Sequence, residues 1–307
     1  MHRDNRLVVA VSAGVLATVL VAVGVFGLRV AGRPASGSGD VRMAPATPLP
    51  PPPVSPYDGT PAAGFASGVA GIVLPRAERV PDGHLADYQL NTRAITAEEV
   101  AETLELVRQS LIAARLGYPM LVEHDPEPYL RTLSPGYWEV WSRPSDPLWE
   151  HSHDWFESPA SANRLTRLAP GASLSAIPRM DGQITYRNAT TFDGTSATET
   201  QPWRILEVVT RFVWVYALDT AEPGEGIVVV RDEAVWYVPA DYRLFCCESN
   251  LGVHPGEAEA RAWGADCEAY AEGLVRPGRP GEIAEVTDAA FDLDQPLAST
   301  VGCRPSG

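Results

Sequence analysis

Residues 205–218 read ILEVVTRFVWVYAL, and their alternation decides the fold. Successive side chains of a strand point to opposite faces, so Leu206, Val208, Phe212, Trp214, Tyr216 and Leu218 share one side. Glu207 and Arg211 fall on the other side, among valines. Residues 227–238, IVVVRDEAVWYV, repeat the plan. Here Val228, Val230, Trp236 and Val238 face one way, Arg231 and Glu233 the other. The intervening DTAEPGEG at 219–226 has the composition of a hairpin loop. Opposite charges on the outer faces are placed to pair across the two strands. Upstream, GQITYRNATTF at 182–192 alternates Ile184, Tyr186 and Phe192 and supplies a third strand.

Helical signals precede these strands. Thr96-Ala97-Glu98-Glu99 is a capping box, in which the threonine hydroxyl satisfies an early N–H while Glu99 reaches back. Val100, Leu104, Val107 and Leu111 then recur at helical spacing, and Gly117 with Pro119 supplies the stop. A helix over 97–116 follows, with the glutamates at 98, 102 and 105 as its solvated face. A shorter helix is expected near 126–133, capped by Asp125, and another over 160–168. Residues 134–158 read as irregular, being aromatic and broken by Pro135, Pro144 and Pro147. The stretch GEAEARAWGADCEAYAEGL at 256–274 reads as a helix that carries Cys267.

Helices followed by antiparallel strands with one apolar face define an α+β layer, helices packed on a curved antiparallel sheet. Phe212, Trp214, Val230 and Trp236 are expected to be buried against helix 97–116. The phrases LVEHDPEPYLRTLSP (121–135) and LEVVTRFVWVYAL (206–218) give 96–238 a resemblance to the cystatin-like or NTF2-like arrangement of membrane-tethered extracytoplasmic bacterial domains of unknown function. The resemblance implies a concave sheet face used for catalysis, ligand binding or dimerisation, and leaves the choice open.

The N-terminus sets the expected location. Leu7 to Leu28 is a run of 22 uncharged residues, enough for a helix of ~33 Å, about a bilayer core. A cleaved signal has a shorter apolar core and a better cleavage site than Val25 and Gly27 provide. A lipoprotein needs a cysteine just after the core, and the first is Cys246. A retained single-pass transmembrane helix is the preferred reading. Residues 1–6 are then cytoplasmic, 7–28 span the membrane, and 29–92 form a proline-rich linker and lead-in. The domain proper covers 93–275, and 276–307 is an irregular tail. Within the linker, residues 33–68 hold the proline run at 45–53, which favours an extended polyproline II tether. Folding is expected to begin between residues 69 and 93.

Composition excludes several chemistries. All 24 basic residues are arginine, so any site that needs lysine is ruled out: a phosphate loop, a Ser-x-x-Lys acyl-transfer site, a kinase site, a pyridoxal Schiff base. The GxSxG, HExxH and CxxC motifs are also absent. Arginine, proline, glycine and alanine usage has the character of a high-GC bacterial genome. A net charge of −15 disfavours nucleic acid and anionic headgroups as partners of the soluble part.

Cys246, Cys247, Cys267 and Cys303 form an even set suited to disulfides, which places the domain outside the cytoplasm. Adjacent thiols point to opposite faces, so one of Cys246 and Cys247 is expected to bond Cys267 and the other Cys303, stapling the C-terminal segment to the sheet. On an extended segment His151 and His153 project to the same side, and with Asp154 they form the metal candidate. Glu123, His124 and Asp125 read as local capping. No catalytic residue and no cofactor are indicated. The leading expectation is a non-enzymatic, single-pass ectodomain, anchored in the lipid bilayer through residues 7–28, that binds an envelope protein or ligand. The alternative is a small-ligand binder or hydrolase-like enzyme using a Trp/Tyr-lined pocket over the sheet.

Overall fold

The computed structural model describes residues 55–81, 83–85, 90–92, 94–191, 203–220, 226–239, 252–279, 281 and 283–306. Its architecture is α+β, with an antiparallel sheet as expected. The candidate span 7–28, the proline run, Phe192 and both Cys246 and Cys247 lie outside the described residues. Among the described residues no helix is long and apolar enough to cross a membrane.

A six-stranded antiparallel sheet forms the centre. Its strands are β1 (Ala66–Ser67), β4 (Ala172–Leu174), β5 (Arg179–Thr191), β6 (Trp203–Thr220), β7 (Gly226–Pro239) and β8 (His254–Trp263). They pair in the order β1-β5-β6-β7-β8, with β4 beside the end of β6. A separate hairpin joins β2 (Gly83–Leu85) and β3 (Leu90–Thr92). The register sets Trp214 opposite Val230 and Val208 opposite Trp236, so the large apolar residues stack on one face. Gly182 lies opposite Phe212, where a Cβ would sit 2.1 Å from the ring, so only glycine admits that ring.

Helix α1 (Ala97–Arg115) covers this face. Its capping box is complete, Thr96 Oγ1 accepting from Glu99 N–H while Glu99 accepts from Thr96 N–H. Val100, Leu104, Val107 and Leu111 join Phe212, Trp214, Val230 and Trp236 in one buried cluster, as the periodicities require. The short helix α2 (Glu127–Leu130) follows, its Glu127 N–H donating to Asp125 Oδ1 at 2.9 Å.

The opposite face is also covered. Val213, Val215, Ala217 and Val229 pack with Tyr57, Ala62, Trp263, Ala290 and Leu297. Among the described residues packing on the sheet therefore begins by Tyr57, ahead of the 69–93 boundary expected from composition. Tyr57 donates to Ile177 O at 2.8 Å, and Arg179 stacks over the Tyr57 ring, so the chain just after the proline run is pinned to the sheet.

Three sequence expectations are corrected. Residues 256–274 are not one helix: β8 occupies 254–263, and only α5 (Cys267–Ala271) is helical. The period there is two, with Ala258, Ala260 and Ala262 turned inward between Glu257, Glu259 and Arg261. The disulfide joins Cys267 to Cys303, Cα atoms 5.1 Å apart, so neither takes a vicinal thiol. The tail returns beside β8, where Cys303 and Ala262 exchange backbone hydrogen bonds, and the turn after β8 brings Cys267 to the same place. The third correction is the aromatic stretch, which is helical and forms the site.

Candidate functional site

Residues 134–158 fold as α3 (Pro135–Trp141) and α4 (Trp149–Glu157). Pro135 opens α3 at its first turn, where a missing N–H costs nothing. Asp146 accepts from Leu148 N–H at 2.9 Å and turns the chain between them. Trp149 Nε1 donates to Trp141 O at 3.1 Å, which ties α4 back to the end of α3. His153 fills the gap between the two indoles, its ring centroid 5.2 Å from Trp141 and 4.7 Å from Trp149.

These two helices, α2 and the start of β8 enclose a cavity of about 260 Å³. Its walls include Leu130, Leu133, Tyr137, Trp141, Trp155 and Phe156. Polar groups come from His151, Ser152 and Arg164, with Pro255 and Gly256 on the β8 side. Gly256 lets the Tyr237 ring approach, since a Cβ there would lie 2.5 Å from it and would displace it. The Gly256 carbonyl accepts from Arg164 Nη2, and the Arg164 guanidinium sits 5.3 Å from the Trp236 ring centroid.

The floor of this region is charged. Among the described residues five buried side chains are arginines (115, 164, 167, 231 and 261), against one buried carboxylate, Asp232. Arg115 Nη2 lies 2.7 Å from Asp232 Oδ2, which also accepts from Trp214 Nε1 at 3.0 Å. Arg115 donates further to the carbonyls of Ala162, Asn163 and Leu165. Burial lifts the Asp232 carboxyl above its ordinary range, against the pull of Arg115 and Trp214. Burial likewise raises Tyr216 and Tyr270, and pushes Tyr129 up to about 12. Arg164 is held below its usual value, first by desolvation. Arg164 Nη1 and Tyr129 Oη have no hydrogen-bond partner among the described residues.

The expected site residues separate. His151 and His153 are two apart on a helix, about 200° around its axis, so they do not share a side. His151 lines the cavity, whereas His153 stacks between Trp141 and Trp149 with Nε2 3.4 Å from Glu157. Asp154 lines neither cavity, and the described residues hold no group of three metal-type ligands. His124 adopts a left-handed backbone, φ 56°, and its Nε2 lies 2.9 Å from Leu168 O. Arg164 was missed because nothing in its flanks marks it. Arg115 and Asp232 did carry a signal, since each is a charge at a core position of its own periodicity.

A larger groove of about 620 Å³ lies on the opposite sheet face, between β7, β8 and the C-terminal tail. It is open, its one lining arginine, Arg211, is already paired with Glu233, and the other charges that line it, Glu257, Glu259 and Asp294, are all carboxylates. The smaller aromatic cavity is the better candidate on shape and on the buried, unpartnered Nη1 of Arg164, a residue that lines it. No family model matches the chain, and neither a curated protein nor a solved structure does. The cystatin-like or NTF2-like resemblance therefore rests on packing motifs alone.

Proposed function

We propose that the chain is a single-pass, membrane-anchored extracytoplasmic domain that acts by binding, with the aromatic cavity beside α4 as its recognition element. The cavity itself is the observation that carries this reading. Ligand sites are concave, mostly apolar, and carry few polar groups, and this cavity has Trp, Tyr, Phe and Leu walls around one guanidinium. Catalysis would need a nucleophile and a base that meet. His151 and Ser152 are consecutive on α4, with no hydrogen bond between them among the described residues. Asp232, Tyr216 and Tyr270 are buried in the interior and do not line the cavity. The apolar run at 7–28 supports the anchor, and the Cys267–Cys303 bond fits an oxidising compartment.

A protein partner that inserts an apolar side chain is the second reading. Leu148, which caps the start of α4, and Trp155 within it are both exposed.

A melting-temperature screen of the full-length chain in lipid nanodiscs tests the proposal. Ligands of the native cavity raise Tm by mass action, and Trp141→Ala abolishes the rise. Hits that survive Trp141→Ala with undiminished shifts contradict it.

A further inference from the structure

We infer that the cavity takes a small organic monocarboxylate, an aromatic ring or short acyl chain with one negative charge, and that Arg164 is its counter-ion. This rests on the cavity being the binding site proposed above.

The charge bookkeeping of the buried arginines singles Arg164 out. Arg115 has Asp232, and Arg261 has Glu259. Arg167 donates to Phe156 O, Ser158 O and Ser161 Oγ, and Arg231 to Ala289 O and Gln295 O. Arg164 is 6 % exposed, and its one hydrogen-bond acceptor among the described residues is Gly256 O. In Arg115, Arg167 and Arg261 the buried nitrogen that lacks an acceptor is Nε. In Arg164 it is the terminal Nη1, which carries two hydrogens, on a side chain that lines the cavity. Asp232 acts on Arg164 only at longer range, its direct contact being spent on Arg115, and a buried cation without a carboxylate in contact is costly, so an anion entering the cavity relieves that cost.

The walls select the rest of the ligand. One guanidinium matches one negative charge, whereas a phosphate dianion would bring a second charge into a largely apolar space. Trp141, Trp155 and Phe156 present ring faces and edges suited to an aromatic or acyl body. A volume of about 260 Å³ lies just below the usual range for ligand pockets, which limits that body to a single ring or a short chain. The acidic chain repels anions at a distance, but at physiological salt this field decays over ~8 Å, so contact with Arg164 prevails inside the cavity.

The test titrates the full-length chain in nanodiscs with benzoate and hexanoate, their neutral amides, and inorganic phosphate, reading tryptophan fluorescence. Both carboxylates are expected to saturate the signal and to bind at least about tenfold tighter than the amides, with phosphate inert. Arg164→Gln should bring benzoate down to the benzamide level, and Arg164→Lys should keep part of the preference. Trp155 is 38 % exposed, so Trp155→Ala preserves the fold and should weaken carboxylate and amide alike. If Arg164→Gln does not fold, the carboxylate-to-amide ratio of the parent and Trp155→Ala decide the matter. Amides as tight as acids, or benzoate binding untouched in a folded Arg164→Gln, overturn the anion assignment and leave the cavity standing as a site. No saturable response to any probe overturns the binding reading as well.

Discussion

Arg115 at the end of α1 and Asp232 in the middle of β7 meet at 2.7 Å in the interior, 1 % and 3 % exposed. The pair locks the helix layer to the sheet. Arg115 also gathers the carbonyls of the 162–165 turn, which contains Arg164. The same interior that is held by a matched pair thus positions the unmatched guanidinium at the cavity.

Replacing Asp232 by Asn should destabilise the fold by about 3–5 kcal/mol, because it leaves Arg115 buried and charged without a counter-ion. Denaturant unfolding measures this. A cost below about 1 kcal/mol would mean that the pair contributes little to joining the layers.

The alternation in 205–238 made the sheet and its buried face legible, and the capping box with Val100, Leu104, Val107 and Leu111 made α1 legible. Arg115 and Asp232 obey those same periods, so their burial was readable by position although not by residue type. Helices α3 and α4 were not legible, because Trp, Tyr and Pro carry weak helix propensity and tertiary stacking decides the outcome. The early packing of Tyr57 and Ala62 was hidden by linker-like composition, since both are held by the sheet rather than by local pattern. Disulfide partners depend on where the tail returns, which spacing does not encode.

Tyr129 supplies a pH prediction. Its folded pKa is raised from 10.0 to about 12, so the folded state favours the neutral phenol. That contribution to stability is complete below about pH 10 and is lost as pH rises through about 12. Absorbance titration at 295 nm should show a group of tyrosines ionising only with loss of the circular dichroism signal. Tyr129→Phe should lessen the alkaline sensitivity. Titration of all 10 tyrosines near pH 10 in the folded protein would contradict the burial described.

Cys303→Ser should release the tail. The bond closes a separation of 36 residues, for which the chain-entropy estimate is ~4 kcal/mol. Limited proteolysis should then cut within 283–302 while the sheet persists, since Leu297 and Ala290 lose their hold on the rear cluster. Non-reducing peptide mapping of the parent should recover Cys267 linked to Cys303. Recovery of Cys246 or Cys247 linked to Cys303 would refute the pairing.

The anchor is tested by deleting residues 7–28. The deleted chain should leave the membrane fraction, while the parent should resist alkaline extraction and keep its N-terminus. A mature N-terminus beyond residue 28 would make the segment a cleaved signal.

The most direct measurement of the central claim is ¹⁹F NMR of the full-length chain labelled with 5-fluorotryptophan at its 8 tryptophans, titrated with benzoate. Trp141 and Trp155 line the cavity, whereas Trp263 lies in the rear cluster with its Nε1 donating to Val301 O. The account predicts saturable shifts of the Trp141 and Trp155 resonances, with Trp263 unmoved. Shifts confined to Trp263, or no tryptophan resonance moving at saturating ligand, would contradict it.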